Sequence, residues 1–367
     1  MILLLGASGL LGHNVLRLLL ERGEAVRVLL RPGAGAGGSV PAEGSAAAGS
    51  VCTEPVPASR EARMDAEAGT LPPAPTGLAS DLPSACPLPE VQYGNPLDDK
   101  TLLRAADGCE AIINCIGTTD MRLPRVEDFN PVNRDLPRLL CRVLEHTGIR
   151  TLVHTSTANT LAAGTKGHPT DESAPFAAPF CHAPYAISKK AGEDALLGWA
   201  ATHPGQRIVI VCPGFMVGPY DTKPSSATLL LAAWRKPLMA GPRGGKSFLH
   251  VRDAATAIVH ALEQGDSGRY LLTGESLTLK EFYALQARVC GYRQRYVSLP
   301  DGLVRLAGRL GDLLRAMGVR TMLCTRNTDQ LLIEEWYDSG KADRELGLPH
   351  TPVADAIRDY FAWRSQR

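Results

Sequence analysis

The N-terminal stretch of the chain reads Met1-Ile2-Leu3-Leu4-Leu5-Gly6-Ala7-Ser8-Gly9-Leu10-Leu11-Gly12. A short apolar run of this kind is typical of a buried strand, and the apolar periodicity after Gly9 predicts an amphipathic helix. Glycines at the turn between them allow positive φ angles and let a ligand approach the backbone closely. The free N–H groups of a helix N-terminus attract anions. The stretch therefore predicts a turn that holds the pyrophosphate of a dinucleotide, with a purely structural turn as the alternative.

The rest of the chain alternates short apolar runs with amphipathic stretches, the pattern of parallel strands joined by crossover helices. We predict strands at residues 2–5, 25–30, 91–93, 111–116, 151–155 and 207–212, and helices at 10–22, 98–106, 132–147 and 185–201. Beyond residue 213 the pattern becomes irregular and mostly helical, with helices at 253–264, 278–290, 300–317 and 352–364. The predicted fold class is α/β, a doubly wound parallel sheet of the Rossmann type with a smaller, mostly helical C-terminal substrate lobe.

Three parts of the chain follow from this pattern. A dinucleotide-binding domain takes residues 1–31 and 91–213, and the substrate lobe takes 214–367. Between the two pieces of the first domain lies an insertion at 32–90, in which 37 of the 59 residues are Ala, Pro, Gly or Ser and none is aromatic. Such a segment buries too little surface to offset the entropy of ordering it, so we expect a disordered or loosely packed surface loop without chemistry.

Composition excludes several classes of partner. Lys and Arg number 39 against 38 Asp and Glu, and the net charge of +1 gives no field to attract nucleic acid or an anionic membrane. The nine cysteines include no Cys-x-x-Cys pair, and no histidine cluster has metal-ligand spacing, so neither a metal nor a disulfide framework is expected. The start of the chain lacks the features of a signal peptide. We therefore expect a cytoplasmic protein with reduced thiols.

Arg31 stands directly after the second predicted strand. NAD-binding domains place an Asp or Glu near this point, where it accepts a hydrogen bond from the ribose 2′-hydroxyl. A guanidinium would instead pair with the 2′-phosphate of NADP. Arg31 therefore predicts NADP in preference to NAD, with an exposed strand-end arginine as the alternative.

Tyr185 and Lys189 are four residues apart, so they share one face of the predicted helix. A nearby ammonium favours the phenolate form of tyrosine, which would suit Tyr185 to acid–base catalysis, although a solvated helix face explains the spacing too. The fifth predicted strand ends in hydroxyl side chains, at the sheet edge where α/β folds bind ligands. We assign the catalytic hydroxyl to Thr157, with Ser156 as second choice and capping of the strand end as the alternative role.

In order and approximate spacing, these motifs resemble those of the extended short-chain dehydrogenases/reductases, also called the NAD-dependent epimerase/dehydratase family. The resemblance covers nearly the whole chain outside the insertion, and residues 26–31 and 218–224 are most similar to dihydroflavonol-reductase-like members. It implies that Tyr185 donates or accepts the proton and that Thr157 polarises the carbonyl. It also implies that Lys189 binds the nicotinamide ribose.

The resemblance further implies a set of cofactor contacts along the sheet edge. Asn95 would hydrogen-bond adenine, Cys115 to Gly117 would line the adenosine side, and Pro213 and Gly214 would face the nicotinamide. The complete predicted set is Gly6, Ser8, Gly9, Leu10, Leu11, Gly12, Arg31, Asn95, Cys115, Ile116, Gly117, Tyr185, Lys189, Pro213 and Gly214.

Three functions stay open. The first is an NAD(P)-dependent carbonyl reductase or alcohol dehydrogenase acting on a small or medium-sized, partly apolar molecule. The second is a nucleotide-sugar epimerase, and the third is a catalytically silent NADP-binding protein. Nucleotide-sugar members of the family resemble Arg-Asp-Phe where this chain has Lys246-Ser247-Phe248, and lysine does not reproduce the bidentate grip of arginine on a diphosphate. We therefore predict a substrate without a nucleotide diphosphate, although Arg243 is near enough in sequence to compensate.

Two further expectations concern surfaces. The resemblance implies a possible homodimer formed through helices of the sheet domain. In the C-terminal part, leucines recur at helical spacing at positions 303, 306, 310, 313 and 314. We expect these leucines to be core residues, with the wall of an apolar substrate pocket as the alternative.

Overall fold

The computed structural model of the protein describes residues 1–32, 87–222 and 226–366. Its strands, in chain order, are β1 (Ile2–Leu5), β2 (Val26–Leu30), β3 (Glu90–Tyr93), β4 (Ala111–Asn114), β5 (Thr151–Thr155), β6 (Arg207–Pro213), β7 (Phe215–Val217), β8 (Leu238–Gly241), β9 (Gly245–His250), β10 (Gly268–Leu272), β11 (Ser276–Thr278), β12 (Arg295–Ser298) and β13 (Glu334–Glu335). Its helices are α1 (Leu10–Glu21), α2 (Asp99–Ala106), α3 (Leu136–His146), α4 (Pro184–Thr202), α5 (Ala227–Ala233), α6 (Val251–Gln264), α7 (Leu279–Val289), α8 (Asp301–Ala316), α9 (Thr325–Leu332), α10 (Gly340–Leu346) and α11 (Val353–Ser365).

A seven-stranded parallel sheet forms the centre of the molecule, in the order β3-β2-β1-β4-β5-β6-β10. All four residues of β1 are buried, with Ile2 paired to Val26 on one side and to Ala111 on the other. A strand covered on both faces needs an unbroken apolar run, which residues 2–5 provide. Helices α1 and α6 pack on one face of the sheet, and α2, α3 and α4 on the other. The predicted fold class is confirmed.

One predicted helix begins differently. The segment predicted as a helix from residue 132 starts as a π-helical turn, Pro131–Asp135, and only then continues as α3. Pro137 has no N–H and cannot donate to the carbonyl of Asn133, four residues earlier. The wide turn accommodates that missing bond, and it becomes important at the site described below.

The chain beyond Pro213 contains more strands than predicted. β7, β9, β11 and β13 form a second sheet, and β8 pairs with β12. β10 pairs with β6, so the main sheet crosses the boundary that we set between residues 213 and 214. These strands have two to six residues, too few for their periodicity to be separated from that of the neighbouring helices.

Most of the predicted insertion lies outside the described residues. Its C-terminal limit differs by one residue, because Glu90 is the first residue of β3 and pairs with Arg27. The Arg27 Nε atom lies 2.8 Å from Glu90 Oε1, and this ion pair ties the returning chain to β2.

The leucines of α8 are not core residues, so that expectation was wrong. Leu303, Leu306, Leu310, Leu313 and Leu314 are between 38 and 58% exposed. The helix packs instead through a narrow face of small side chains, which includes Gly308 and Gly311. In the described part of the chain, no helix has the length and apolar character needed to cross a membrane.

The packing of α1 on the first turn depends on Gly12. A Cβ at this position would lie 2.1 Å from the Gly6 carbonyl oxygen, whereas a Cβ at Gly198 in α4 would meet nothing within 4 Å. We expect Gly12→Ala to lower the free energy of unfolding by about 1–3 kcal/mol, because the helix must move off the turn. Gly198→Ala, the matched control, should raise stability by about 0.5–1 kcal/mol. Urea denaturation followed by circular dichroism measures both, and equal effects would contradict this account.

Candidate active site

The turn after β1 forms an open cradle. Gly6 has a φ of +90°, and a Cβ on it would lie 2.8 Å from the Cys115 carbonyl carbon and 2.9 Å from the Ile116 nitrogen. Gly9 is the N-cap of α1 and has no side chain that could cap the helix. Ser8 and Gly9 are exposed. The N–H groups at the start of α1 are therefore open to an anionic ligand. This backbone geometry fits a pyrophosphate, with Leu10 and Leu11 contributing N–H groups.

Arg31 and Asn95 follow the neighbouring strands β2 and β3, on the same edge of the sheet as this turn. Both residues are exposed. The Asn95 Oδ1 atom accepts the N–H of Leu97 at 3.1 Å and so closes a local turn. The two residues lie where the adenosine half of a dinucleotide would extend from the pyrophosphate.

The turn after β4 is held by two buried polar side chains. Asn114 Oδ1 accepts the N–H of Ile116 at 3.0 Å, and its Nδ2 lies 3.0 Å from His154 Nδ1. Burial holds the pKa of His154 well below its usual range, so the imidazole is neutral and accepts from the amide. Burial also raises the pKa of the Cys115 thiol to about 12, which keeps this side chain uncharged. The turn formed by Cys115, Ile116 and Gly117 thus presents an uncharged surface.

Lys189 is buried beside that turn. Its Nζ donates to the Thr155 carbonyl oxygen at 3.0 Å, and a Cβ at Gly117 would lie only 2.9 Å from it. Glycine at 117 therefore makes room for the ammonium. Burial lowers the pKa of Lys189 to about 8, while the nearby Glu193 carboxylate favours the charged form. The lysine stays protonated at neutral pH.

Tyr185 lies one helical turn before Lys189, and its hydroxyl is next to the Thr157 side chain. Burial raises the pKa of Tyr185 to about 12, against the opposing effect of the Thr157 side chain. The lowering expected from Lys189 is not found: desolvation of the phenolate is the largest effect, and the Glu193 carboxylate raises the pKa further. Tyr185 therefore retains its proton at neutral pH and can donate it.

Ser156 and Thr157 face different partners. The Ser156 hydroxyl donates to the carboxylate of Glu193, which is fully buried. Thr157 Oγ1 accepts the N–H of Asn159 at 3.3 Å, the capping role kept as the alternative, and its side chain is next to Tyr185. The structure thus brings Thr157, Tyr185 and Lys189 together and turns the hydroxyl of Ser156 toward the interior.

Glu193 was missed by the sequence analysis. It follows Tyr185 by eight residues and Lys189 by four, so helical spacing already places all three on one face of α4. Its carboxylate accepts from Thr160 Oγ1 at 2.7 Å and from Arg269 Nε at 2.7 Å. Arg269 belongs to β10, so the counter-ion of this carboxylate comes from the last strand of the sheet.

Asn133 was also missed, and no local pattern signals it. Its Oδ1 accepts the N–H of Thr118 at 2.9 Å, and its Nδ2 donates to Ser188 Oγ at 3.0 Å. A Cβ at Gly192 would lie 2.2 Å from the Asn133 carbonyl oxygen, so this glycine lets α4 approach the π-helical turn closely. The amide thereby joins α4 to the segment that follows Gly117.

At the other end of the site, Pro213 ends β6 and Gly214 contacts the second sheet. The Gly214 N–H donates to the Leu272 carbonyl at 2.9 Å, and a Cβ there would lie 2.5 Å from the Ser247 oxygen. The neighbouring Lys246 pairs with Glu335, a buried residue, at 2.5 Å between Nζ and Oε1. In the described residues, no group of three or more His, Cys, Asp or Glu side chains is arranged to hold a metal ion.

We expect Glu193→Gln to lower the free energy of unfolding by about 3 kcal/mol, because Arg269 would lose its buried partner. Asp194→Asn is the matched control: Asp194 is exposed and lies 3.8 Å from Arg269 Nη2, so its loss should cost less than about 1 kcal/mol. Urea denaturation distinguishes them. Glu193→Gln should also move the alkaline limb of the pH–rate profile to lower pH, since its charge raises the pKa of Lys189. Similar stability losses in both variants would contradict the buried ion pair.

Comparisons with curated proteins identify relatives along the whole chain. "Sterol demethylase protein B" of Methylococcus capsulatus is 26% identical over 373 residues, which cover 100% of this chain and 98% of that protein. A ketoreductase of Stigmatella aurantiaca, named for 4-hydroxy-2-methyl-3-oxo-4-farnesyl-3,4-dihydroquinoline-1-oxide, is 27% identical and covers 96% and 94% of the two chains. A Synechocystis protein, named provisionally as a dihydroflavonol 4-reductase, is 26% identical over 73% of this chain and 79% of its own.

Solved structures share the fold. The crystal structure of gox2253 superposes with a TM-score of 0.76 at 23% identity, over 100% of this chain and 98% of that one. The UDP-glucose 4-epimerase of Thermus thermophilus, solved with NAD, gives a TM-score of 0.67 at 18% identity, over 99% and 98% of the two chains. The family model described as "NAD dependent epimerase/dehydratase family" matches residues 2–272. The chain therefore belongs to the NAD-dependent epimerase/dehydratase family, as the motifs at its first turn, at the end of its fifth strand and in α4 predicted.

Proposed function

We propose that the protein is an NADP-dependent carbonyl reductase or alcohol dehydrogenase whose substrate is a lipophilic molecule without a nucleotide diphosphate. The observation that carries this proposal is the placement of the Thr157 and Tyr185 hydroxyls side by side at the sheet edge, one helical turn from the buried Lys189. Two hydroxyls placed side by side in this way can both bind one substrate oxygen. A catalytically silent binding protein would have no need of this arrangement.

The nicotinamide cofactor supplies the hydride when it is bound. Thr157 then orients the substrate oxygen by a hydrogen bond, and Tyr185 donates its proton to that oxygen in the reducing direction. With a pKa of about 12 the Tyr185 hydroxyl is fully protonated at neutral pH, so the proton to be donated is present. Lys189 uses one N–H on the Thr155 carbonyl and keeps others for the ribose hydroxyls.

The pair Lys246 and Glu335 argues against a nucleotide sugar. In the described structure the one cation of the Lys246-Ser247-Phe248 segment already neutralises a buried carboxylate, at 2.5 Å. A diphosphate placed here would meet Glu335 as well as Lys246 and gain little net attraction. Arg243 is exposed. The alternative in which it binds the diphosphate of a nucleotide sugar is tested by the substrate panel below.

A lipophilic substrate is supported by the relatives that match over nearly their full length. One carries a sterol in its name and another a farnesylated quinoline. Neither name contains a nucleotide, and in both cases the match to this chain extends over at least 94% of the relative's length. We extend this chemistry to the present chain: a bulky apolar body with one carbonyl or hydroxyl group.

The test is a substrate panel of sterol and prenyl ketones beside UDP- and GDP-sugars, each with NADPH, followed by absorbance of the reduced nicotinamide. We expect turnover of apolar ketones only. Tyr185→Phe should lower the turnover number at least about 100-fold and leave NADPH affinity nearly unchanged, because it removes a proton donor and no phosphate contact. Turnover of nucleotide sugars alone, or a Tyr185→Phe variant within a few-fold of the native enzyme, would overturn the proposal.

The cofactor preference rests on Arg31. A charge-assisted hydrogen bond to the 2′-phosphate is worth about 1.5–3 kcal/mol, so NADPH should bind more than about tenfold tighter than NADH. Arg31→Ala should remove this difference by weakening NADPH binding and sparing NADH. Fluorescence titration of both cofactors measures it, with Arg22→Ala as the control at an arginine that pairs with Glu263. If the native protein binds NADPH and NADH with equal affinity, Arg31 does not contact the 2′-phosphate and is an ordinary exposed arginine.

A further inference from the structure

Helix α8 has three distinct faces. Val304, Gly308 and Gly311 are buried and pack against the segment that follows the helix. A second face carries Arg305, Arg309 and Asp312, all exposed. The third face consists of Leu303, Leu306, Leu310, Leu313, Leu314 and Met317, and these six side chains are between 38 and 63% exposed. We call this third face the leucine stripe.

The leucine stripe is exposed because the helix packs through its glycines. A Cβ at Gly308 would lie 2.4 Å from the Thr328 hydroxyl oxygen, and one at Gly311 would lie 2.1 Å from the Leu323 carbonyl oxygen. Such close packing fixes the rotation of α8 about its axis. Turning the leucines inward would bring large side chains to positions where not even a methyl group fits, so the stripe cannot become core in this fold.

The segment after α8 extends the apolar surface. Val319, Met322 and Leu323 are between 39 and 50% exposed, a few residues beyond Met317. Isolated exposed leucines need no explanation, but a contiguous apolar patch of this kind marks an interaction surface. In the described part of the chain nothing covers it.

The charges beside the leucine stripe indicate what it contacts. Across the α8–α9 hairpin, residues 301–332, the chain has five arginines and three aspartates, although the whole protein has a net charge of only +1. Arg305 pairs with Asp329 at 3.7 Å, whereas Arg309 and Arg320 are exposed. Arg309 lies one helical turn from both Leu306 and Leu313. A leucine face flanked by arginines is the pattern of a helix that lies in the interface of an anionic bilayer. The expectation of no membrane contact came from the total charge, which hides this local excess.

The hairpin that carries the stripe is hydrogen-bonded to the loop that follows Gly117. Arg315 Nη2 and Asn327 Nδ2 donate to the Met121 carbonyl at 3.0 and 3.1 Å, and Arg326 Nη1 donates to the Pro124 carbonyl at 3.1 Å. Met121 follows Gly117, which contacts Lys189, by four residues. The α8–α9 hairpin is therefore fastened to the loop that leaves the site.

We propose that the leucine stripe and its flanking arginines dock the protein on an anionic lipid surface, without spanning it, and hold the entrance of the site against the bilayer. The reason for such docking rests on the proposed function, since a lipophilic substrate resides in membranes. The docking itself needs neither substrate nor cofactor and is measured without them.

The experiment is flotation of the full-length protein with vesicles of phosphatidylcholine alone or mixed with phosphatidylglycerol. We expect binding to the anionic vesicles and little to the neutral ones. The triple variant Leu306→Gln, Leu310→Gln and Leu313→Gln should bind at least about tenfold more weakly, because glutamine keeps the length and helix propensity but not the apolar surface. Leu238→Gln, an equally exposed leucine on β8, is the matched control and should bind like the native protein. Thermal unfolding verifies that all variants fold.

Charge is tested separately. Arg309→Gln with Arg320→Gln should weaken binding to anionic vesicles about 30-fold, at about fivefold for each arginine. In addition, brominated lipids should quench the tryptophan fluorescence of the Leu310→Trp variant more than that of the native protein, since the new side chain would enter the acyl region. Absence of binding by the native protein, equal binding to neutral vesicles, or no effect of the triple variant would overturn the proposal.

A second copy of the chain is the competing occupant of the stripe. Light scattering of the native protein and the triple variant distinguishes it: a dimer that becomes a monomer on loss of the leucines, with no vesicle binding, would replace the lipid surface by a self-interface. Docking and catalysis are measured independently. Vesicle binding without ketone turnover refutes the proposed function alone, and ketone turnover in detergent without vesicle binding refutes the docking alone.

Discussion

The buried ammonium of Lys189 is the constraint around which the site is built. A charge removed from water is costly, and here burial lowers the pKa of the lysine to about 8. The structure offsets this cost with the carbonyl of Thr155, the negative charge of Glu193 one turn further along α4, and the space left by Gly117. Each of these groups belongs to a different loop, helix or strand end, so the position of one nitrogen atom depends on several parts of the fold.

Glycines control how closely those parts approach. Gly6 lets the first turn touch the turn after β4, Gly192 lets α4 reach the π-helical turn, and Gly214 brings β9 against the end of β6. None of these positions could hold even a methyl group without displacing a backbone oxygen or carbon. The carboxyl edge of the sheet is thus an assembly of close backbone contacts, and side chains with chemistry stand only where those contacts leave room.

Much of this could be predicted from the sequence, and the omissions have physical reasons. β1, α1 and α4 were predicted within a residue or two, because β1 is an unbroken apolar run and the buried face of α1 leaves a clear helical period. The pattern Tyr185-x-x-x-Lys189 located one face of α4, and continuing it by four residues would have found Glu193. Asn133 left no signal, since its position depends on a proline four residues later and on a glycine from another helix. The leucines of α8 follow the helical period but not the usual rule that the apolar face turns inward, because adjacent glycines form the packing face.

The ion pair between Arg269 and Glu193 connects two parts of the chain that are made at different times. During synthesis α4 emerges well before β10, so the buried carboxylate has no arginine partner until residue 269 has left the ribosome. The nucleotide-binding half therefore cannot mature as an independent N-terminal unit. Its charge balance and its sheet are completed by the same late strand, and the emerging chain reaches a functional arrangement only when more than two-thirds of it has been translated.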